Sequence, residues 1–312
     1  MMKKLLIFTL CLCFGCYRVP DKIDPQISCS VEESYIQKLP APFKPITFEE
    51  RREEWAKEYL IGVAFAKELD LYRAITAFKR AKILSENFER KQEITYNILL
   101  CYYLGGKYDE VIETFEASSL ARADTTFPAY HDLLIILYQS YDRVNAPQKA
   151  QQVLELLNES YPETGEKLHE ADVLLHGNIE ELHSLSKIYP DKAYLGQIAD
   201  CYCLNKKSVA KAQILNGILP GAGYFYVGQT QSAITALLLN GGFITASYFF
   251  FKKGNVAAGV ITTSFEAGWY FGGIYGAGES AKLYNERLYE RLAYHNLQRE
   301  NLFPVLRLRY AF

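Results

Sequence analysis

Two apolar stretches, residues 231–251 and 256–277, carry one ionisable side chain between them, Glu266. Each is long enough, as a helix rising roughly 1.5 Å per residue, to cross a hydrocarbon layer of about 30 Å. Only Lys252, Lys253, Gly254 and Asn255 separate them, so two helices there must run antiparallel. The two lysines put that turn on the cytoplasmic side of a membrane and both outer ends on the far side. Aromatic residues flank the stretches at Tyr224, Phe225 and Tyr226, at Tyr248, and at Trp269, Tyr270, Phe271 and Tyr275, where such rings settle at headgroup level. The competing reading is a hairpin buried in a soluble core, because Ser, Thr, Asn and Gly dilute both stretches.

In the second stretch small residues recur at every fourth position: Ser264, Gly268, Gly272, Gly276 and Ser280. Residues four apart share a helix face, so Gly268, Gly272 and Gly276 form a ridge that another helix backbone can approach, within the hairpin or in a homo-oligomer. Glu266 falls about 15 Å from the turn, near the centre of a bilayer, where a lone carboxylate is costly. Asn240 reaches almost the same depth on the first stretch. The expectation is an intramembrane polar pair, Asn240 with Glu266, sharing a hydrogen bond or a common polar interior. Glu266 also lies about 200° around the helix from the glycine ridge.

Both ends of this region carry a pattern. Pro220-Gly221-Ala222-Gly223, then Tyr226 and Gly228, precede the apolar stretches, and Gly272-Gly273-Ile274-Tyr275-Gly276-Ala277 with Ser280-Ala281-Lys282-Leu283-Tyr284-Asn285 closes them. This resembles a widespread bacterial domain of unknown function with a P-G-x-G-Q-x-Y-x-G turn, a membrane hairpin and a G-N-I-Y-G-A-x-x-S-A-x-x-Y-N segment. Tyr224 stands where that pattern has Gln, and Gly273 where it has Asn. The resemblance covers about a fifth of the chain and implies a membrane-associated domain, often placed behind helical repeats, with no known activity. Its membrane-turn residues here are Pro220, Gly221, Gly223, Tyr226 and Gly228.

Upstream, Met1-Met2-Lys3-Lys4 and the apolar run 5–14 read as an export signal too short to span a membrane. Leu12-Cys13-Phe14-Gly15-Cys16 resembles a bacterial lipoprotein box and makes Cys16 the candidate lipidation site; ordinary cleavage is the alternative. Tyr17 follows Cys16, so an inner-membrane retention signal is absent. Residues 17–47 hold five prolines and little periodicity, and read as an extended tether. Beyond the leader, Cys29, Cys101, Cys201 and Cys203 remain, and buried free thiols are expected of them.

From residue 48 the periodicity is helical. Trp55, Gly62, Phe65, Ala74, Phe78 and Ala81 fall on the spacing of a tetratricopeptide repeat. Tyr102, Gly106, Tyr108 and Phe115 mark a second unit, and Tyr138, Tyr141, Ala150, Leu154, Leu157 and Pro162 a third; Ala74, Val111 and Ala150 hold equivalent places at spacings of 37 and 39 residues. Residues 165–219 suggest two more helical pairs. Such pairs stack into a solenoid whose concave face binds protein or peptide.

The chain of 312 residues thus divides into a leader at 1–16, a tether at 17–47, repeats at 48–219, turn and hairpin at 220–285, and a helix and tail at 286–312. The expected fold is all-α: a tetratricopeptide-like helical solenoid, a transmembrane helical hairpin and an amphipathic C-terminal helix. The formal net charge of −2 gives no footprint for nucleic acid. His169, His176 and His183 recur every seventh residue but lack a ligand pattern such as H-E-x-x-H, and no nucleophile motif or phosphate loop occurs. No enzyme, metal site or cofactor is therefore expected. The expected role is a protein-binding scaffold of the bacterial cell envelope, with its repeats on the periplasmic side and the choice of inner or outer membrane open. The alternative is an oligomeric pore or transport component built from the glycine-rich hairpin.

Overall fold

The computed structural model describes residues 19–28 and 33–312; Cys16 and the rest of the leader lie outside these. Among the described residues the regular structure is helical, with no β-strand. The described residues form two compact units, each assembled from two separate stretches: Ser28–Asp172 with Asn296–Phe312, and residues 19–27 with Val173–His295.

The first unit contains α1 (Glu33–Ile36), α2 (Glu54–Lys67), α3 (Leu71–Leu84), α4 (Phe88–Leu104), α5 (Tyr108–Glu116), α6 (Tyr130–Arg143), α7 (Pro147–Ser160) and most of α8 (Pro162–His176). From α2 to α7 each helix packs against the next. Helix starts are set by side chains that accept an otherwise unbonded amide: Asp70 from Arg73 N at 3.3 Å, and Asn87 from Arg90 N at 3.1 Å. In the first pair the Phe78 ring lies where a Cβ on Gly62 would be, at 2.6 Å, so α2 and α3 approach through a residue without a side chain.

α4 and α6 are buried almost all round. Consecutive helix pairs alone leave one face of such helices open. Here that face is covered by extended chain. Phe43 packs on Tyr96 of α4 and on Phe127, and the tail reaches α6 at Asp132 and sets Phe312 against Phe78 of the neighbouring α3. Residues 35–46, expected as part of an extended tether, contact this unit through Ile36, Phe43 and Ile46. At the edge of that cover Arg90 donates to both oxygens of Glu50, to Glu93 Oε2 at 2.7 Å, and to the carbonyls of Lys44 and Pro45. Tyr59 OH donates to the other oxygen of Glu93 at 2.5 Å.

This network has opposite effects on its two acids. Hydrogen bonding from Arg90 lowers the Glu50 carboxyl from its ordinary 4.5 to about 2, whereas burial raises that of Glu93. A carboxyl lowered by folding stabilises the folded state above its unfolded value and loses that contribution as pH falls. One raised by folding does the reverse, and folded stability declines as pH rises above about 4.5. Stability of the first unit should therefore climb between pH 2 and 4.5 and ease off above it. Trp55 is buried at 4% exposure and reports this unit alone in a Trp269→Phe background. Its denaturation midpoint against pH should show both limbs, and Glu93→Gln should remove only the upper one.

The second unit contains α9 (Ile179–Ile188), α10 (Ala193–Asn205), α11 (Val209–Ile218), α12 (Ala222–Val227), α13 (Thr230–Lys252) and most of α14 (Val256–Arg299). Gly177, with φ +67, and Asn178, which caps α9 through Glu181 N at 3.3 Å, end one helix and start the next. The second apolar stretch and the charged segment after residue 285 belong to one 44-residue helix, about 66 Å long. Composition changes at 285, but no glycine beyond Gly278 and no proline before Pro304 breaks the helix. Residues 19–27, also expected as tether, run extended and docked. Val19, Ile23 and Ile27 are buried, and Asp24 N and Gln26 N donate to Glu286 and Glu290 at 3.1 and 2.8 Å.

Candidate functional site

Within the second unit, both ends of the glycine-rich pattern converge on α11. Pro220 has no amide to continue that helix. Gly221 adopts φ +95, its amide donates to Asn216 Oδ1 at 2.8 Å, and a Cβ there would overlap the Ala233 carbonyl. A Cβ on Gly223 would overlap the Ala212 carbonyl and lie 2.8 Å from Ala277 Cβ, so α12 touches α11 and α14 at one point. Gly228, also at φ +95, ends α12. Tyr226 OH accepts from Ser208 N at 3.2 Å, and the ammonium groups of Lys207 and Lys211 sit 5.1 and 4.9 Å from its ring.

The closing segment meets the same elements. Asn285 accepts from Lys207 N at 2.7 Å and donates to Lys207 O at 2.8 Å, as a paired backbone would. Tyr270 OH donates to Gly217 O, and Ser280 Oγ donates to Gln229 Oε1 at 3.3 Å. Gly276 faces the Tyr224 hydroxyl, so the tyrosine that departs from the bacterial pattern fills space against a glycine. Gly273, the second departure, faces Asn216 Nδ2, which a Cβ would meet at 3.2 Å.

Beyond this collar, one helix among the described residues, α13, is long and apolar enough to cross a membrane, and only 11% of its apolar window is buried. Its exposed positions include Leu237, Leu238, Ile244 and Phe249, while its buried residues are Ala233, Asn240 and Ser247. On α14 the buried stripe runs Gly259, Glu266, Ala277 and Ala281, with Thr262 and Gly273 half-buried. Large apolar side chains are exposed on both helices, together with small and polar ones such as Thr235, Gly241, Thr245 and Ser264, while the buried positions are small or polar.

Gly268 and Gly272 are exposed, and nothing lies within 4 Å of a Cβ built on either. The ridge expected to close the hairpin instead lines an open groove of about 570 Å³ with Thr235, Asn240, Trp269 and Gly273. Gly276 alone of the three faces a neighbour. Asn240 and Glu266 are both buried, at 3% and 8% exposure, but do not bond to each other. Asn240 Nδ2 donates to Ala236 O at 2.6 Å within its own helix. Its Oδ1, Ser247 Oγ and both Glu266 oxygens have no hydrogen-bond partner. Among the described residues these buried oxygens are therefore without a hydrogen-bond donor.

A second arrangement, in the first unit, carried no signal in the sequence reading. Asp132 Oδ1 lies 2.7 Å from His131 Nδ1, and His131 Nε2 lies 2.9 Å from Thr164 Oγ1. The order acid, imidazole, hydroxyl matches that of a nucleophilic triad. All three side chains are buried, and Asp132 Oδ2 accepts Arg309 N and Tyr310 N, both at 2.8 Å. The buried cluster holds chain, not substrate. A charged residue directly before the apolar run 133–137 was the available hint.

Compared with known protein families, curated proteins and solved structures, the chain gives no match.

Proposed function

We propose that the chain is a membrane-tethered scaffold of the bacterial envelope. In this reading the helices of residues 48–219 form a tetratricopeptide-like solenoid outside the cytoplasm that binds a protein or peptide. A lipid on Cys16 and a hairpin of α13 with the first half of α14 hold it to the membrane. The observation that carries the membrane placement is the exposed apolar surface of these two helices, Leu237, Leu238, Ile244, Phe249, Ile261 and Phe265 among it, over buried Ala233, Asn240, Ser247, Gly259 and Glu266. Lipid accepts the outer face, and the inner face supplies the close contacts and polar groups that helices use in a membrane. The resemblance of the turn and closing segment to the bacterial domain points the same way. Cross-linking in intact envelopes should recover a partner that depends on residues 48–219, and Cys16→Ser should shift the chain's detergent requirement. Recovery of no such partner would overturn the scaffold reading.

The exposed Gly268 and Gly272 favour a second reading, an oligomeric pore or transport component in which hairpins of several copies meet through this ridge. Gly268→Leu with Gly272→Leu should then dissolve a detergent-stable oligomer without unfolding the monomer, since no atom occupies that space. Oligomer size unaffected by the pair rejects it.

A further inference from the structure

The tail of the first unit is bound in the manner of a peptide ligand. Apart from one 3₁₀ turn at Pro304–Arg307, where Leu306 N and Leu308 N bond to Phe303 O and Val305 O, residues 302–312 have no regular structure of their own, and the backbone groups beyond that turn find partners outside the segment. Arg309 N and Tyr310 N donate to the carboxylate of Asp132. Ala311 N donates to Pro40 O at 3.0 Å. Tyr35 OH points at two tail carbonyls, Leu306 O at 2.8 Å and Leu308 O at 3.2 Å. Leu308, Ala311 and Phe312 are buried, whereas Arg309 stays exposed with its guanidinium 5.6 Å from the Tyr161 ring. Backbone bonding with pockets for some side chains and solvent for others is how grooves recognise extended peptides.

The chemistry of the groove argues against simple core packing. Asp132 has 0% exposure, and its carboxylate faces two consecutive amides of an extended chain. A core built only for stability could be apolar there; a buried carboxylate is useful where the occupant offers backbone N–H groups. His131, braced by Thr164, fixes the other oxygen and so aims the carboxylate.

We propose that residues 302–312 are a built-in ligand of a peptide-recognition groove in the first unit. A partner carrying an extended segment of alternating apolar and basic residues, like Val305 to Phe312, enters by displacing them. The proposal rests on the scaffold reading and assigns the surface and the ligand chemistry.

The test uses the full chain in detergent with a protease site inserted after Glu300, beside the exposed turn at Asn301. Before cleavage, a fluorescent peptide of residues 302–312 should bind weakly, because the tethered tail competes at an effective concentration of about 1 mM. After cleavage with helicity retained, the native tail should wash out and the labelled peptide should bind about 100-fold tighter, as expected for a peptide with Kd of about 10 µM. The same peptide N-methylated at the positions of Arg309 and Tyr310 lacks the two donors and should bind at least about tenfold more weakly. Methylation leaves the protein untouched, so this arm is independent of folding.

A nicked chain that keeps its tail, or that unfolds when the tail leaves, makes residues 302–312 core and overturns the proposal. Equal binding before and after cleavage, or no effect of methylation, does the same. Exchange of the tail with no cross-linked partner in envelopes would reject the scaffold reading alone; a cross-linked partner with no exchange would reject this inference alone.

Discussion

Gly223→Leu is expected to prevent the second unit from closing, at a cost of about 3 kcal/mol or more. Overpacking a tight site typically costs about 1–3 kcal/mol when neighbours can yield. Here they cannot yield easily. A Cβ alone would overlap the Ala212 carbonyl and press on Ala277 and Asn216, and all three obstacles belong to other helices of the collar, α11 and α14. Displacing α12 also takes Tyr226 from Ser208 N and Gly221 N from Asn216. The measurement is limited proteolysis in detergent: the wild-type segment 209–295 should resist digestion and the variant should be cut within it. Gly268→Leu is the paired control and should leave the monomer's digestion pattern unchanged. A Gly223→Leu chain as resistant as wild type would mean that the collar is not a closed contact.

Arg90→Met should destabilise the first unit by about 3–5 kcal/mol, the usual cost of removing one partner from a buried ion pair. Glu93 would keep only Tyr59 as a donor among the bonds described for its carboxylate. Lys44 O and Pro45 O would lose their guanidinium donor, and with them the cover over α4 loosens. Methionine keeps much of the volume, so the loss reads the charge and hydrogen bonds. The Trp55 midpoint should drop at pH 7, and lowering the pH should recover part of it as Glu93 takes a proton. The combined Arg90→Met, Glu93→Gln chain should be more stable at pH 7 than Arg90→Met alone. Equal midpoints for the two variants would dismiss the uncompensated carboxylate as the cause.

Helices were legible wherever a cap or a breaker accompanies the period. Asp70, Asn87, Asn178 and Ser208 each accept an amide at a helix start. Gly62 lets the Phe78 ring of the next helix come close, so a small residue stands where these two helices touch. The docking of the extended segments was not legible, because residues 19–27 and 302–312 bury scattered apolar side chains and bond their backbone to Glu286, Glu290 and Asp132, and short segments of this kind do not show in the sequence which surface they join. The hairpin misled in one respect. A run of small residues shows a face where a backbone can come close, but α14 has two such faces, and the one turned inward carries Gly259, Glu266 and Ala277. Which face turns in is decided by the collar: Gly223 against Ala277 and Tyr270 against Gly217 fix the rotation of α14.

Both units borrow their last piece from the far end of the chain, and this dictates the order in which they can be completed. Asp24 and Gln26 wait for partners 262 and 264 residues downstream, and Asp132 waits 178 residues for Tyr310. At equilibrium such long closures cost little, about 0.6 kcal/mol per doubling of loop length. In time they cost more. At about 5–20 residues per second, synthesis of those 178 residues takes roughly 10 to 35 s. For that interval α4 already has the cover of residues 35–46, but the carboxylate of Asp132 on α6 is without the two amides it accepts. A nascent chain that has reached only residue 301 therefore holds every helix of the first unit but not the segment that Asp132 binds.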